Sequence, residues 1–378
     1  MQISNNNIAD KLMDNKEHLS LPPRLSIVMP FFNHEELVAE MVDSILANDY
    51  QDWELLAVDD GSDAVSTDFL VNRYAGDRRI RIIRRCREPK GAQTCRNMGL
   101  ELAQGEYVIF FDSDDIVSPR CLRDRVEQMD QHAGLDFMVF RSGTAAKRGG
   151  RTVVDATPTS LTFGYPINKD DVEAFCCRFL PFVVWNNIYR RPSLISRGIR
   201  WDTQLLSLQD SMFNLQCLLS GMQYGYSDTP PDYGYRIDTP GSVSKKLKSK
   251  AHLDSHVYIT DQFFANVQRH HGHRYDHALY RGALQVMLQM ARSGNLYKEY
   301  NLDMAATVRK YSIVWGTAFS LQVNIFHLLC RFLPLSLSRK ISFLGYLLWS
   351  SYKEKCKAGL QRKVALSTQG SQLSTHGL

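Results

Sequence analysis

Short apolar runs alternate with segments of helical periodicity along the first part of this chain. The apolar runs predict strands near residues 25–30, 53–58, 79–84, 107–111 and 135–140. The periodic segments predict helices near residues 34–47, 91–104 and 118–132. The run at 108–111 is continuous rather than alternating, which is typical of a strand buried in a parallel sheet. This order of elements predicts an α/β fold, with a mainly parallel sheet between layers of helices.

The second half of the chain has a different pattern. Residues 142–167 are rich in Gly, Thr and Lys and predict a variable loop region. From about residue 249 the strand signals stop, and helical periodicity predicts helices at 253–267, 279–290 and 302–315. We therefore expect a polar leader at 1–23, an α/β domain at 24–245, a helical region at 246–363 and a disordered tail at 364–378.

The composition argues against several other classes of protein. The chain has 378 residues and a formal net charge of +5. Seven basic residues fall within 78–90, but one basic strand without a reading element does not indicate nucleic-acid binding. The eight cysteines form no C-x-x-C pair, so neither zinc nor a disulfide framework is indicated. Without a signal-peptide core or an apolar run of about 18 residues, we expect a cytoplasmic protein with no membrane span.

Three carboxylates, Asp112, Asp114 and Asp115, follow the predicted strand at 107–111. Open α/β sheets bind ligands just beyond the carboxyl ends of their strands. Clustered acids repel each other, and a hard divalent cation such as Mg²⁺ or Mn²⁺ relieves that repulsion while bridging to substrate phosphates. The alternative is that one acid caps the next helix. Ser118-Pro119 already predicts a cap, so capping accounts for at most one of the three.

Two other strand ends carry chemistry of the same kind. The strand at 53–58 ends in the paired acids Asp59 and Asp60, followed by a Gly-Ser turn. The first strand ends in Pro30 and two phenylalanines, after which Asn33 is predicted to cap a helix with Glu36 in the capping box. An aromatic platform, a carboxylate pair and a metal-type triad together match the needs of a nucleoside diphosphate ligand.

These motifs resemble the family 2 inverting glycosyltransferases of the GT-A fold, especially bacterial enzymes that build surface polysaccharides. The resemblance covers roughly residues 24–245. It rests on SIVMPFFN at 26–33, VDDGS at 58–62, GAQTCRNMG at 91–99, GEY at 105–107 and DSDD at 112–115. It implies a GT-A-like sheet sandwiched by helices, followed by the C-terminal helical region.

The resemblance also implies roles for particular residues. Asp60 would contact the uracil or ribose of a nucleotide-sugar donor, and Phe32 would lie against the base. Asp112 and Asp114 would form the metal-binding DxD motif, with Asp114 as the direct ligand of Mg²⁺ or Mn²⁺. The remaining predicted donor-binding residues are Pro30, Asp59, Arg96, Asn97, Ser113 and Arg236.

An inverting transfer needs a carboxylate that takes the proton of the acceptor hydroxyl. Asp210 falls in the first turn of a predicted helix, where a helix dipole also favours an acid without any catalytic role. Family 2 enzymes carry a Glu-Asp pair here whose Asp is the general base, and this chain has Gln209-Asp210. The resemblance therefore implies that Asp210 is the base, with an altered neighbour.

Two further segments leave alternatives open. A Trp-Asn segment at Trp185 matches one that lines the acceptor side in this family, but Trp185 as plain core fits equally well. In the segment 233–245, Arg236, Ser242 and Lys245 would close over the pyrophosphate, unless this is a mobile surface loop. The Gln-x-x-Arg-Trp motif of processive polymerases is absent, because Arg197 stands at the Gln position. Transfer of a single sugar is therefore expected.

The helical region contains a basic, aromatic-rich stretch. Between 331 and 363 there are eight basic residues and one acidic residue, Glu354. An interfacial helix on anionic lipid is one interpretation, and a helical cap on the catalytic domain is the other. In the membrane interpretation, the side chains entering the headgroup boundary are Phe343, Leu344, Leu347, Leu348 and Trp349. Those facing anionic lipid are Arg339, Lys340, Lys353 and Lys355.

The expected function is therefore metal-dependent, inverting transfer of one sugar from a nucleotide diphosphate donor. UDP is the nucleotide that we expect in this donor. The acceptor would be a growing cell-surface glycan or a lipid-linked molecule at the inner face of the cell membrane. One alternative function is that of another enzyme, a nucleotidyltransferase. Such an enzyme would normally need a Gly- and Lys-rich phosphate loop at the end of the first strand, and this chain lacks one there. The alternative that is not an enzyme is a catalytically silent sugar-nucleotide-binding or scaffold protein.

Overall fold

The computed structural model describes residues 22–157, 160–167, 170–237, 249–292 and 298–375. The strands of the α/β part are β1 (Leu25–Phe31), β2 (Trp53–Asp59), β3 (Ile80–Arg84), β4 (Tyr107–Phe110), β5 (Ile116–Val117), β6 (Phe137–Val139), β7 (Ser142–Arg148), β8 (Arg151–Asp155), β9 (Asn187–Arg190), β10 (Tyr224–Tyr226) and β11 (Tyr233–Tyr235). The five strands predicted from apolar runs are confirmed, with ends shifted by one or two residues.

Helices lie on both faces of the sheet and fill the C-terminal region. Those of the α/β part are α1 (Glu35–Leu46), α2 (Ala64–Tyr74), α3 (Ala92–Leu102), α4 (Cys121–Gln131), α5 (Asp171–Cys176), α6 (Arg191–Ser196) and α7 (Gln209–Leu219). Those of the C-terminal region are α8 (Lys250–His271), α9 (Asp276–Arg292), α10 (Lys298–Tyr311), α11 (Ile313–Leu329), α12 (Leu335–Ser342) and α13 (Leu344–Thr375).

The main sheet has seven strands in the order β10-β6-β9-β4-β1-β2-β3. Within it, β9 runs antiparallel to β4 and β6, and the other described pairs are parallel. Every residue of β1 is buried, as expected for a strand covered on both faces. In the register, Phe31 lies beside Asp59 and Val28 lies beside Phe110. The carboxyl ends of β1, β2 and β4 therefore meet at one edge.

Alternate residues of these strands build two cores. Ile27, Leu55 and Ile109 pack with α1 and α4 on one face. Val28 and Val108 pack on the other face with α3, α7 and the C-terminal helices, in one continuous cluster. The C-terminal helices thus share the core of the α/β domain. Along the described residues, no helix combines the length and apolar character needed to cross a bilayer.

The predicted loop at 142–167 is wrong in its first half, which forms the hairpin of β7 and β8. This hairpin belongs to a second sheet with the order β5-β11-β7-β8. Its turn is Gly149-Gly150, and both glycines have positive φ angles of 55° and 79°. Two-residue hairpin turns require that backbone conformation, which glycine adopts without steric cost.

Two helix ends also differ from expectation. Helix α4 begins at Cys121 with Arg120 in the cap position, so the predicted cap at Ser118-Pro119 is two residues early. The helix predicted at 302–315 is two helices, because Ser312 caps α11 by accepting the Trp315 backbone N–H. Gly316 permits that break: a Cβ on it would lie 2.4 Å from the Cα of Arg309.

The tail predicted to be disordered is helical over residues 364–375, as the continuation of α13. Its course is fixed by tertiary contacts. Ala365 is buried, and Gln361 Nε2 donates to the carbonyl oxygen of Leu161, 2.9 Å away. The predicted leader, apart from residues 22 and 23, and the last three residues lie outside the described residues.

A buried ion pair joins helix α4 to the residue before β11, and its loss should be costly. Arg125 in α4 has no exposed surface and donates to both carboxylate oxygens of Asp232, at 2.7 and 2.8 Å. Its remaining nitrogen donates to the carbonyl of Trp185. We predict that Arg125→Met lowers the free energy of unfolding by about 3–5 kcal/mol, because it leaves the Asp232 carboxylate buried and unpaired.

Chemical denaturation measures this effect, and helix α4 offers a matched control. Arg120 pairs with Asp124 on the surface of the same helix, and its side chain is 64% exposed. Arg120→Met should therefore cost less than about 1 kcal/mol. Equal losses in the two variants would contradict a special role for the buried pair.

Candidate active site

The two acids at the end of β2 have different surroundings. Asp59 is fully buried, and its Oδ1 accepts the backbone N–H groups of Gly61 and Ser62 at 3.1 and 2.7 Å. Its Oδ2 accepts the Thr67 hydroxyl. Asp59 therefore holds the Gly-Ser turn in place, and both of its oxygens are engaged by the protein.

Asp60 connects β2 to the loop before α3. Its Oδ1 accepts the Gly91 backbone N–H at 2.9 Å and Arg85 Nε at 2.8 Å. Among the described residues, no hydrogen bond reaches its Oδ2. Of the pair at this strand end, Asp60 is thus the residue with an oxygen available to a ligand.

An exposed aromatic ring lies at the end of β1. Phe32 is 45% exposed, and Lys90 Nζ lies 3.7 Å from the centroid of its ring. Pro30 is buried within the strand. Asn33 does not cap α1 as predicted: its backbone N–H donates to Ser62 and its side chain accepts the Asp63 N–H. Asn33 therefore ties the end of β1 to the turn after β2.

Arg96 joins three parts of the site. Its Nη2 lies 2.5 Å from Asp112 Oδ1, and its Nη1 donates to Gln209 Oε1 at 3.2 Å. Its guanidinium stacks 4.4 Å above the ring of Trp201, which is buried. Asn97 holds that tryptophan, because its amide group donates to and accepts from the Trp201 backbone at 2.9 Å each. The Arg-Asn pair thus links the end of β4 to the start of α7.

The acids after β4 divide into two groups. Asp112, Ser113 and Asp114 are partly exposed, whereas Asp115 is buried. Asp115 accepts the Tyr233 hydroxyl and the Arg236 backbone N–H, both at 2.6 Å. Burial, and then the charges of Asp114 and Asp112, raise the pKa of Asp115 well above its usual value. Asp115 therefore anchors this loop to β11 and the residue that follows it.

Arg236, one of the predicted donor-binding residues, contacts this loop. Its Nε donates to the main-chain oxygen of Asp114 at 2.7 Å, and its Nη2 pairs with Glu40 at 2.7 Å. Ser242 and Lys245, which were expected to act with it, lie outside the described residues. Sequence reasoning did not identify Glu40 or Tyr233 as members of this network.

Asp210 occupies the first turn of α7, which begins after Leu208 with a positive φ of 56°. Its carboxylate has no hydrogen bond or ion pair to any described residue. Arg96 and Asp112 nevertheless lie close enough to affect its pKa, which Arg96 lowers and Asp112 raises. Part of its surface is accessible, but the surrounding protein replaces most of its water, and this burial raises the pKa of Asp210 to about 6. It is therefore ionised at neutral pH and more basic than an ordinary Asp.

The acids after β4 are suited to hold a divalent cation that is also coordinated by a bound ligand. No group of three or more His, Cys, Asp or Glu suited to hold a metal ion occurs in the described part of the chain. Mg²⁺ is usually bound through one or two carboxylates, with substrate phosphates and water completing its coordination. Asp112 and Asp114 supply two partly exposed carboxylates at one strand end. That set is sufficient for such an ion.

The acceptor-side prediction for Trp185 is not supported by its position. Trp185 is buried and stacks on Tyr233, with ring centroids 4.5 Å apart. It belongs to the core, which was the other interpretation. Trp201 is the tryptophan that contacts the site, through Arg96. The sequence signal for this residue is the dipeptide Arg200-Trp201, which stands where the Arg-Trp of the polymerase motif would be.

The sheet and its carboxyl edge together define the class of this domain. A mainly parallel sheet that gathers an aromatic ring, paired carboxylates and a separate basic carboxylate at one edge is the arrangement of GT-A glycosyltransferases. Residues 26–185 match the family model described as Glycosyl transferase family 2. That match, together with the similar proteins described next, indicates that the chain is a glycosyltransferase.

Similar proteins agree with this assignment. The chain is 27% identical over 259 residues to the uncharacterized glycosyltransferase EpsJ of Bacillus subtilis, covering 66% of this chain and 71% of that protein. It is 24% identical over 261 residues to the poly(ribitol-phosphate) beta-N-acetylglucosaminyltransferase TarP of Staphylococcus aureus, covering 68% and 74%. The solved structure of S. aureus TarS 1–349 in complex with UDP-GlcNAc covers 92% of both chains, with a TM-score of 0.60 and 16% identity. That likeness shows the fold.

Proposed function

We propose that this glycosyltransferase is inverting and metal-dependent, and that it moves one sugar from a UDP-linked donor to a growing, lipid-linked surface glycan. The observation that carries the proposal is the carboxylate of Asp210. It has no described partner, is more basic than usual and lies near the Arg96–Asp112 pair at the carboxyl edge of the sheet. A carboxylate that stands apart from the metal-type acids in this way is suited to removing a proton rather than to binding the donor.

The donor would lie across the ends of β1, β2 and β4. Phe32 offers a ring face for the base, and Asp60 Oδ2 offers an acceptor for base or ribose donors. Asp112 and Asp114 would hold Mg²⁺ or Mn²⁺, which would neutralise the diphosphate leaving group when bound. TarS was solved with UDP-GlcNAc, and TarP and TarS are named as N-acetylglucosaminyltransferases. UDP-GlcNAc is therefore the first donor to test.

The chemical step follows from the position of Asp210. Asp210 accepts the proton of the acceptor hydroxyl as that oxygen forms a bond to the anomeric carbon of the sugar. The bond from that carbon to the diphosphate breaks, and the nucleoside diphosphate leaves with the electron pair. Attack and departure occur on opposite faces, so the configuration at the anomeric carbon inverts.

Arg96 acts as a positioning residue in this scheme. Its two terminal nitrogens hold Asp112 on the donor side and Gln209 next to the base. Gln209 replaces the glutamate of the family pair, and it still accepts a hydrogen bond from Arg96. The altered residue thus keeps the contact but contributes no negative charge beside Asp210.

A donor panel tests the proposal. Purified protein is incubated with UDP-, GDP- and dTDP-linked sugars, with Mn²⁺ or with a chelator, and released nucleoside diphosphate is measured. We expect release of UDP from a UDP-sugar that depends on Mn²⁺ and increases when a suitable acceptor is added. Binding without release would instead support a silent sugar-nucleotide-binding protein. Release of pyrophosphate from a nucleoside triphosphate and a sugar phosphate would indicate a nucleotidyltransferase.

A further inference from the structure

Helix α11 is apolar on both its inner and outer sides. Phe319, Val323 and Phe326 on its inner side are buried in the main core. A second row on its outer side is exposed and continues just past the end of the helix; it consists of Val314, Leu321, Ile325, Leu328 and Phe332. A surface helix normally carries polar side chains there. Phe332, the last of this row, is 78% exposed.

Helices α12 and α13 carry a second exposed apolar row. Its members follow one another at intervals of three or four residues: Leu337, Ile341, Leu344, Leu348 and Tyr352. The two rows lie on helices that touch, because Phe326 of α11 packs edge-on against Phe343 at the start of α13, with centroids 5.4 Å apart. We call these two rows the outer face. Two adjoining rows of exposed apolar side chains mark an interaction site.

The structure revises which side chains belong to this surface. Phe343 is completely buried, and Trp349 packs edge-on against Phe179 under the guanidinium of Arg281. Leu347 is partly buried against the same core. Of the five apolar side chains predicted from sequence to meet lipid, only Leu344 and Leu348 remain exposed.

Cations continue the second row. Lys355 and Arg362 follow Leu348 at intervals of seven residues, so they lie on the same side of α13, and both are exposed. Lys357 instead turns inward, 5.1 Å from the ring of Phe163, and Lys353 is partly covered beside Trp349. The row is thus apolar in the first half of the helix and cationic further along.

We propose that the outer face binds the surface of an anionic lipid bilayer, with its apolar rows in the headgroup boundary and its cations on the lipid phosphates. Amphipathic helices bind membranes by this combination of buried apolar area and attraction to anionic lipid. A second copy of this chain is a poorer occupant, because two like faces would bring their excess positive charge together. The proposal does not depend on the sugar transferred or on transfer itself.

Sedimentation with vesicles tests this surface in the full-length protein. Vesicles of phosphatidylcholine alone are compared with vesicles that also contain phosphatidylglycerol, at low and high salt. We expect binding at least about tenfold tighter to the anionic vesicles, and weaker binding as salt screens the charges. Leu328→Ser and Phe332→Ser should each weaken it roughly tenfold, and Lys355→Gln and Arg362→Gln about fivefold each.

Matched exposed residues outside the outer face serve as controls. Phe69 in α2 is exposed like Phe332, so Phe69→Ser should leave vesicle binding unchanged. Arg78→Gln is the corresponding control for charge. Donor turnover with a water-soluble acceptor, measured for every variant, should be unaffected, which keeps this test separate from that of the proposed function.

Three results would overturn the proposal. Full-length protein that ignores anionic vesicles at low salt has no such surface. Equal binding to neutral vesicles would remove the role of Lys355 and Arg362. A stable oligomer in analytical ultracentrifugation that Phe332→Ser dissociates, with no lipid binding, would identify a second copy as the occupant.

Discussion

Asp210→Asn should lower kcat by about 10²–10⁴-fold, the range expected when a general base is lost. Asparagine has nearly the volume of aspartate but accepts no proton at neutral pH. The carboxylate has no described hydrogen bond to lose, so the substitution leaves no partner unsatisfied. The fold and the affinity for UDP should therefore change little.

The pH profile gives this prediction a second readout. Burial raises the pKa of Asp210 to about 6, and only the ionised form can accept a proton. The kcat of the wild type should therefore fall as the pH is lowered through about 6. The residual activity of Asp210→Asn should lack that acid limb. Because burial disfavours the charge, the neutral asparagine should unfold at the same temperature as the wild type, or higher, at pH 7.

Asp60→Asn should weaken nucleotide binding rather than the chemical step, which is the opposite of the effect expected for Asp210→Asn. Asp60 is assigned to the nucleoside, so this variant should bind UDP more weakly in calorimetry while the pH limb remains. Asp68→Asn, on the exposed surface of α2, should alter neither property. If Asp210→Asn lost UDP binding and Asp60→Asn kept it, the two roles would be reversed.

The central strands of the sheet could be predicted from the sequence because they are buried on both faces. A strand such as β1 must then be apolar at nearly every position, which is visible without any partner. The order of strands and helices also determined that β1, β2 and β4 would present their carboxyl ends together. The clustering of Phe32, Asp60 and Asp112 at one edge follows from that topology alone.

Roles that depend on distant partners were not visible. Asp59 and Asp60 are adjacent acids in the same motif, and only the contacts of Gly61, Ser62 and Gly91 distinguish the turn anchor from the residue with a free oxygen. Asn97 shows the same limit, because its amide group is engaged by the backbone of Trp201, more than 100 residues away. Local motifs identify the site but do not assign each side chain within it.

Tertiary contacts also overrode local composition. The polar segment after residue 363 lacks the apolar content of a stable helix, yet Ala365 is buried and Gln361 bonds to the loop at Leu161. Phe343 is similar: its neighbours suggested a lipid-facing row, but the break between α12 and α13 turns it into the core. The Gly149-Gly150 turn, by contrast, was a local signal that the loop interpretation overlooked.

Asp114→Ala should abolish Mn²⁺-dependent turnover without disturbing the fold. Arg236 Nε donates to the main-chain oxygen of Asp114, which alanine keeps. What alanine lacks is a carboxylate for the divalent cation, and without that cation the charge of the departing diphosphate would be unbalanced. Asp112 alone, already paired with Arg96, would be a poorer ligand.

Binding of UDP with and without Mn²⁺ separates the metal from the chemistry. Wild type should bind UDP at least about tenfold more tightly when Mn²⁺ is present, because the cation is held between carboxylates and phosphates. Asp114→Ala should bind UDP equally well with and without Mn²⁺. Asp115→Asn is the neighbouring control, since Asp115 bonds to Tyr233 and Arg236 in the core. Asp115→Asn should keep the Mn²⁺ effect. An Asp114→Ala variant that turns over at the wild-type rate would show that Asp114 is not a metal ligand.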